Sequence, residues 1–250
     1  MRINAPPSGE FLLLNDVMNA VESLSKTGYA FLSAAEVAFE LQVDIAQLNA
    51  LAEWWSALPR DEYLRDGGRY RSRRHSCFID EGGVLTLSPH RAHWQPTSYN
   101  ALHGGLERWF EPIAAEVLKT PVWTQLLESI GSVFGQIRPV KRWYIEAHQF
   151  RIDTTDGIGR PTPEGAHRDG VDFVALLLVQ RRNVRGGETR VFDAHGPSGV
   201  RFTMEEPWSL LLMDDARVIH ETTPIQPEGD GGVRDTLVLT YRADGFQAPP

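Results

Sequence analysis

Residues 167 to 179 read His167-Arg168-Asp169-Gly170-Val171-Asp172-Phe173-Val174-Ala175-Leu176-Leu177-Leu178-Val179. The run from Val171 to Val179 is strand-sized, too short to span a membrane and apolar enough for the buried wall of a barrel. The residues that open the stretch differ in character. In an extended chain positions i and i+2 share a face, so His167 and Asp169 point together while Arg168 points away. Pro163-Glu164-Gly165 just ahead is a turn that delivers this polar claw to the mouth of the strand.

Outward from the claw the same strand-like period continues. Segments 142–152, 171–180, 187–193, 200–204, 208–213, 217–220 and 234–242 alternate with Gly, Pro and Asp clusters. Short antiparallel strands at such spacing form a sandwich or a jelly-roll barrel. Before Arg138 the period is mostly helical. Asn15 to Thr27 makes a helix stopped by Gly28, and Tyr29 to Leu32 a short strand. Ser33 with Glu36 forms a capping box for a helix to about Gln42, and Asp44 caps another through Trp54 and Trp55 to Leu58. Cys77 to Ile79 and Val84 to Leu87 flank Glu81-Gly82-Gly83 as a hairpin. Helices resume over 105–119 and 121–134, the second with Thr120 as cap and Pro121 at its first position. The expected class is α+β, a single domain over 1–250. Residues 1–137 are expected to be mostly helical with a short hairpin, and their helices buttress a β core over 138–245.

Composition narrows the partners. The chain has 250 residues, 25 Lys plus Arg against 33 Asp plus Glu, and net charge −8, a field that repels nucleic acid and anionic lipid. The single Cys77 excludes an intrachain disulfide and any multi-cysteine zinc site, and it suits a reducing compartment. Early apolar residues stop at Phe11 to Leu14, short of a signal peptide, so the expected location is the cytoplasm, with no membrane partner.

The chemistry centres on histidines and one arginine. His220 closes the strand that begins at Arg217, and with His167 and Asp169 it makes two imidazoles and a carboxylate, the set that holds non-haem Fe(II) and leaves positions open. The same three groups would serve a zinc hydrolase, although no nearby carboxylate offers itself as base. In Arg234-Asp235-Thr236-Leu237-Val238-Leu239-Thr240-Tyr241, alternation puts Arg234, Thr236, Val238 and Thr240 on one face and Leu237, Leu239 and Tyr241 on the other. A guanidinium in a barrel is costly unpaired, so a ligand carboxylate meeting its planar fork, helped by Thr236, is the sensible partner. Gly186-Gly187-Glu188-Thr189 makes a tight turn after which Thr189 faces a polar cavity. Strand 142–152 offers either Gln149 and Arg151 or Tyr144, His148 and Phe150, and an acid-binding cavity favours the amide and the cation. Arg69, Arg71, Arg73 and Arg74 read as a solvated strand edge, with a substrate-carboxylate clamp at Arg74 as the functional alternative. Asp172 is a candidate for a substrate ammonium. His90 and His93 are not expected to bind metal, and Cys77 is expected to be buried and inert.

His167-Arg168-Asp169, Gly186-Gly187-Glu188-Thr189, His220 and Arg234 resemble, in order and spacing, the pattern of Fe(II)- and 2-oxoglutarate-dependent dioxygenases. The stretches 161–173 and 234–241 look like a bacterial branch that includes free L-isoleucine hydroxylases and biofilm- and stress-linked BsmA-type proteins. The resemblance covers about 140–242. It implies a double-stranded β-helix, cupin-like, with His167, Asp169 and His220 on iron. It further implies that Arg234 holds the far carboxylate of 2-oxoglutarate, which Thr189, Thr236 and Gln149 would help to seat. O2 and 2-oxoglutarate would be consumed, succinate and CO2 released and a C–H bond hydroxylated, with ascorbate supportive. A free amino acid held by Arg151, Asp172 and Arg74 is the expected substrate. A sensor of the same fold with little turnover is the alternative.

Overall fold

The computed structural model describes residues 19–250, so the expected helical start at Asn15 to Met18 lies outside the described residues. Helix α1 (Ala20–Thr27) begins where Asn19 Oδ1 accepts from the Glu22 N–H and ends at Gly28, whose φ of 83° only glycine adopts cheaply. Strand β1 (Tyr29–Leu32) follows, then α2 (Ala34–Leu41), for which Ser33 and Glu36 form both halves of the capping box. Asp44 caps α3 (Ile45–Leu51), which tightens into a 3₁₀ turn over Ala52–Ala57. That turn drives Trp55 into the core, where its Nε1 donates to the Thr236 carbonyl at 3.0 Å.

Strands β2 (Arg71–Glu81) and β3 (Leu85–Leu87) form the expected hairpin, β2 being far longer than its apolar end. The expected helix over 105–119 does not form and only α4 (Ala115–Leu118) is helical there. Pro112 lacks an N–H and disfavours helix in the residue before it. Arg108 is instead tied to His93 by a pair of backbone hydrogen bonds of 2.9 and 3.0 Å. Helix α5 (Pro121–Ile137) is the long buttress, with Trp123, Leu126, Leu127, Ile130 and Phe134 buried on one side.

The remaining strands are β4 (Arg142–Asp153), β5 (Phe173–Arg182), β6 (Val184–Gly186), β7 (Glu188–Asp193), β8 (Gly199–Thr203), β9 (Leu210–Asp214), β10 (Val218–Thr222), β11 (Ile225–Pro227) and β12 (Val233–Arg242). Only the three-residue β6 and β11 are additions to the expected set. A seven-stranded antiparallel sheet runs β1-β9-β5-β12-β4-β2-β3, beside a three-stranded sheet β10-β7-β8 and the pair β11-β6.

Alternation gives the large sheet two faces. Phe173, Ala175, Leu177, Leu237, Leu239 and Tyr241 join the helices in one core, with the Phe134 and Phe173 rings stacked at 4.5 Å. Val174, Leu176 and Leu178 of β5 meet Val191 of β7 and Val218 of β10 in a second cluster that brings the two sheets face to face. Both faces of β5 are covered, which is why its sequence is apolar without a break. A cavity lies between the sheets, lined by residues of both, among them Ile152, Val174, Leu176, His220 and Arg234.

Two expectations about faces are reversed. On β4 it is Glu146, His148, Phe150 and Ile152 that line the cavity, and Gln149 and Arg151 lie on the helix side. There Arg151 meets Asp235 of β12 in a bidentate pair at 2.8 and 2.7 Å, so the cation is cancelled without any ligand. The arginine run is also no solvated edge: β4 pairs with β2 from Arg71 to Glu81, and Arg71 and Arg73 are buried.

Candidate active site

His167 and His220 are locked to each other through the backbone, His167 N to His220 O at 3.0 Å and the reverse at 2.9 Å. This single bridge replaces the strand expected around the claw, because residues 168 to 172 form an irregular loop before β5. The loop is held by Asp215, whose carboxylate accepts from the backbone N–H groups of Asp169, Gly170 and Val171 at 2.8 to 3.1 Å. Burial and the Asp169 carboxylate push the Asp215 pKa up to about 6. Gly170 turns the loop with φ 76°, and a Cβ there would sit 2.5 Å from the Tyr99 ring.

One donor atom each from His167, Asp169 and His220 lies within 4.8 Å of the others. His167 Nδ1 is 2.9 Å from the Gly165 carbonyl, so that nitrogen carries the proton and Nε2 turns inward. His167 Nε2 is 3.8 Å from Asp169 Oδ1, and His220 Nε2 is 3.6 Å from Asp169 Oδ2. Burial pulls the His167 pKa down, but Asp169 and Glu164 outweigh it and hold it above the ordinary histidine value. Burial and the nearby His167 push His220 down to about 3, leaving a neutral ring with a free lone pair. Two neutral-capable nitrogens, a carboxylate and a surplus of negative charge fit a first-row divalent cation. Gln95 Nε2 donates to Asp169 Oδ1 at 3.2 Å, and Gln95 Oε1 accepts from Arg108 Nη2 and Asn100 Nδ2 at 3.0 and 3.1 Å.

Across the cavity stands Arg234, 2% exposed, with Nε and Nη2 lacking any hydrogen-bond partner. Burial and the Arg181 cation lower its pKa to about 10, still fully charged at neutral pH. Thr236 lines the cavity on the same face. Thr189, across the β7–β10 pair from Thr222, is buried with its hydroxyl unpartnered, although it is not in the cavity wall. An unpaired buried guanidinium requires an anion, and a small acid reaching from the claw to Arg234 supplies one.

The cavity wall also holds Arg71 and Arg73, expected to form a solvated edge, together with Arg108 and Glu146, of which nothing was expected; Arg71 stands level with Arg234, both opposite Ile152. Arg71, Arg73 and Arg108 are buried there, each with a nitrogen lacking a partner. Arg71 Nε bonds Asp61 at 2.7 Å, and the Arg73 guanidinium lies 3.8 Å from the Phe110 ring centroid and 4.5 Å from that of Phe150. Burial and Arg71 bring Arg108 down to about 10. Glu146 Oε2 accepts from His75 Nε2 at 2.9 Å and His93 Nδ1 at 2.8 Å. Burial raises the Glu146 pKa, yet His93 and His75 outweigh it and keep the carboxylate ionised. His75, His93, Glu146 and His148 also gather donor atoms within 4.8 Å. The His75 and His148 rings stack 17° from parallel, so the in-plane lone pairs of these two rings do not converge on one point.

The remaining sequence candidates lie elsewhere. Arg74 points away from the cavity, to Glu111 and the Pro112 carbonyl, each at 2.9 Å. Asp172 pairs with Arg138 and accepts from the Ala243 N–H at 2.8 Å. Gln149 is buried off the cavity wall and Arg151 is spent on Asp235. His93, Gln95 and Arg108 come from the irregular stretch 91–110, where no periodicity signals which side chains turn inward.

Antiparallel sheets packed face to face, with a His/Asp/His cluster and a buried arginine in the cavity between them, are the arrangement of a non-haem iron oxygenase. The model of the 2OG-Fe dioxygenase family matches residues 52–240, and the chain belongs to that family, whose members use Fe(II), 2-oxoglutarate and O2. It is similar to a bsmA homolog from Methylobium petroleophilum PM1 of known crystal structure, at 53% identity over 92% of this chain and 94% of that one, TM-score 0.89. IDO from Bacillus thuringiensis shares the fold at 19% identity, covering 90% of this chain and 95% of its own, TM-score 0.74. The Fe(II)/α-ketoglutarate-dependent dioxygenase TqaL does so at 18% identity over 91% and 89%, TM-score 0.65. None of the curated proteins compared with the chain matches it. No helix among the described residues is long and apolar enough to cross a membrane.

Proposed function

We propose that this dioxygenase hydroxylates a free α-amino acid on its aliphatic side chain, within one domain built as a double-stranded β-helix. His167 Nε2, Asp169 and His220 Nε2 would hold Fe(II), and Arg234 would pair with the far carboxylate of 2-oxoglutarate, assisted by Thr236. When bound, the iron with 2-oxoglutarate supplies the oxidising power for C–H hydroxylation, with succinate and CO2 as co-products. The protein contributes position. The Gly165 carbonyl presents Nε2 of His167 by accepting a hydrogen bond from Nδ1–H, and Asp215 keeps the Asp169 loop in place. Gln95 orients the Asp169 carboxylate by donating to Oδ1, and the apolar residues Val174 and Leu176 line the wall and keep water from the reacting carbon.

The observation that carries the reading is that Arg234, buried with two unpartnered nitrogens, shares one cavity with the claw. Arg71 and Arg108 line the same cavity and offer charge for a second acid beside 2-oxoglutarate. The test is mass-spectrometric screening of free amino acids for gain of one oxygen, with Fe(II), 2-oxoglutarate and ascorbate. Stoichiometric succinate with an oxidised amino acid is expected. Succinate driven only by peptides, or by no amino acid while iron is bound and reduced, overturns it.

A further inference from the structure

Glu164 is a charged group of the cavity wall that the proposed chemistry leaves without a task. It belongs to a turn that is pinned in two ways. The Gly165 N–H donates to the Thr162 carbonyl at 3.0 Å, and the Thr162 hydroxyl donates to the Thr222 carbonyl and accepts from the Thr222 N–H at 2.9 and 3.0 Å. The turn fixes the carboxylate beside the claw, with Oε1 3.6 Å from His167 Nε2, the nitrogen assigned to iron. Glu164 is nevertheless no part of the donor cluster of His167, Asp169 and His220. Its Oε2 is buried without a hydrogen-bond partner, and among the described residues no arginine or lysine forms an ion pair with it. Oε1 is left as the oxygen that meets what enters the cavity.

The charges of the loaded site balance without Glu164. Asp169 and the near carboxylate of 2-oxoglutarate would offset the two positive charges of Fe(II), and Arg234 would offset the far carboxylate. A carboxylate that stays unpaired in such a place is costly, and a ligand cation removes the cost. From its position beside the claw and its lack of a partner we infer that Glu164 receives the ammonium group of the substrate. The role that the sequence suggested for Asp172, which is committed to Arg138, falls to Glu164. The inference rests on the proposed amino-acid hydroxylation and names the residue that reads the amine. A simple carboxylic acid or an N-acylated amino acid leaves Glu164 unpaired and is rejected, while discrimination among aliphatic side chains is shallow.

The experiment is anaerobic titration calorimetry on the protein loaded with Fe(II) and 2-oxoglutarate. A panel of aliphatic L-amino acids is compared with the acid lacking each amino group, such as isocaproate for leucine, and with each N-acetyl form. At least one amino acid is expected to bind on the order of tenfold or more tighter than both of its altered forms. Glu164→Gln should bring that ratio close to one by weakening the amino acid, and should leave binding of the deaminated acid unchanged. Iron retention, measured by metal analysis after gel filtration, should stay near that of the parent. Glu164→Asp keeps the charge but withdraws it by one methylene, so it should also lower the ratio, and it decides the matter if Glu164→Gln does not fold. A ratio unchanged in the variant that folds overturns the inference. Loss of iron from Glu164→Gln assigns the carboxylate to the metal and overturns it as well, as does equal binding of every amino acid and its deaminated form by the parent. In each of these cases the proposed function stands if an amino acid still gains oxygen. Failure of every free amino acid to bind and to be oxidised overturns both.

Discussion

Arg234 shows how a single residue carries two opposed demands. Its guanidinium is buried and short of partners, a cost to the ligand-free protein that only a bound anion relieves. Replacement by Met should therefore act in opposite directions on binding and on stability. The apparent affinity for 2-oxoglutarate should fall at least tenfold, since loss of a buried charge-assisted contact costs on the order of 2 to 5 kcal/mol. Iron retention should stay close to that of the parent. In thermal melts without 2-oxoglutarate, Arg234→Met should unfold no lower than the parent protein. An unchanged 2-oxoglutarate requirement removes Arg234 from the site. At the claw, Asp169→Ala should abolish iron retention, measured by metal analysis after gel filtration, while leaving the circular dichroism spectrum intact.

At the scale of the element, the loop between the turn at Gly165 and β5 has little regular structure of its own, and its shape is imposed by neighbours. Asp215 gathers three backbone N–H groups from it, and Gly170 lets Tyr99 pack where a side chain would stand. Asp215→Ala leaves those donors without their acceptor and should destabilise the protein by about 1 to 3 kcal/mol. It should also weaken iron retention, although Asp215 is not among the clustered donors. Gly170→Ala should act similarly through the ring contact and the positive φ, with a cost of about 1 to 3 kcal/mol. Denaturant melts with and without iron separate the two effects. Full iron retention in Asp215→Ala would show that the loop holds its shape without this carboxylate.

Across the whole molecule, burial of neutral histidines sets how stability responds to acid. His93 and His103 are pushed down to about 3 and about 4 chiefly by burial, and His75 and His148 are lowered as well. An unfolded histidine takes up its proton near 6.5, which these folded ones refuse. Their contribution is fully present above that value and is lost as pH falls toward the folded pKa. Each fully buried ring should cost on the order of 2 kcal/mol between neutral pH and about pH 5. His167, the shifted histidine whose pKa is raised, works in the other sense. Urea midpoints of the metal-free protein should therefore drop steadily from pH 7 to about pH 5. A flat profile would mean that these rings are charged or exposed.

What the sequence by itself determined is what local period and local chemistry can encode. The approximate positions of most strands between 142 and 242, the Ser33 and Asp44 starts and the Gly28 stop of the helices, and the placing of Arg234 with Thr236 on one face all follow from neighbours within a few residues. On β12 the faces are legible because Leu237, Leu239 and Tyr241 form a wholly apolar set that has to meet the helices. On β4 each set contains charged or polar groups, Glu146 and His148 on one side and Gln149 and Arg151 on the other, so alternation sorts the sets without saying which turns inward. Asp235, far along the chain, decided that by neutralising Arg151 on the helix side. The tertiary structure alone also brought Arg71 of β2, Arg108 of the irregular stretch and Glu146 of β4 around one cavity. No period in the sequence relates those three positions, because their meeting depends on the strand order of the sheet and on a loop whose path is set by what it packs against.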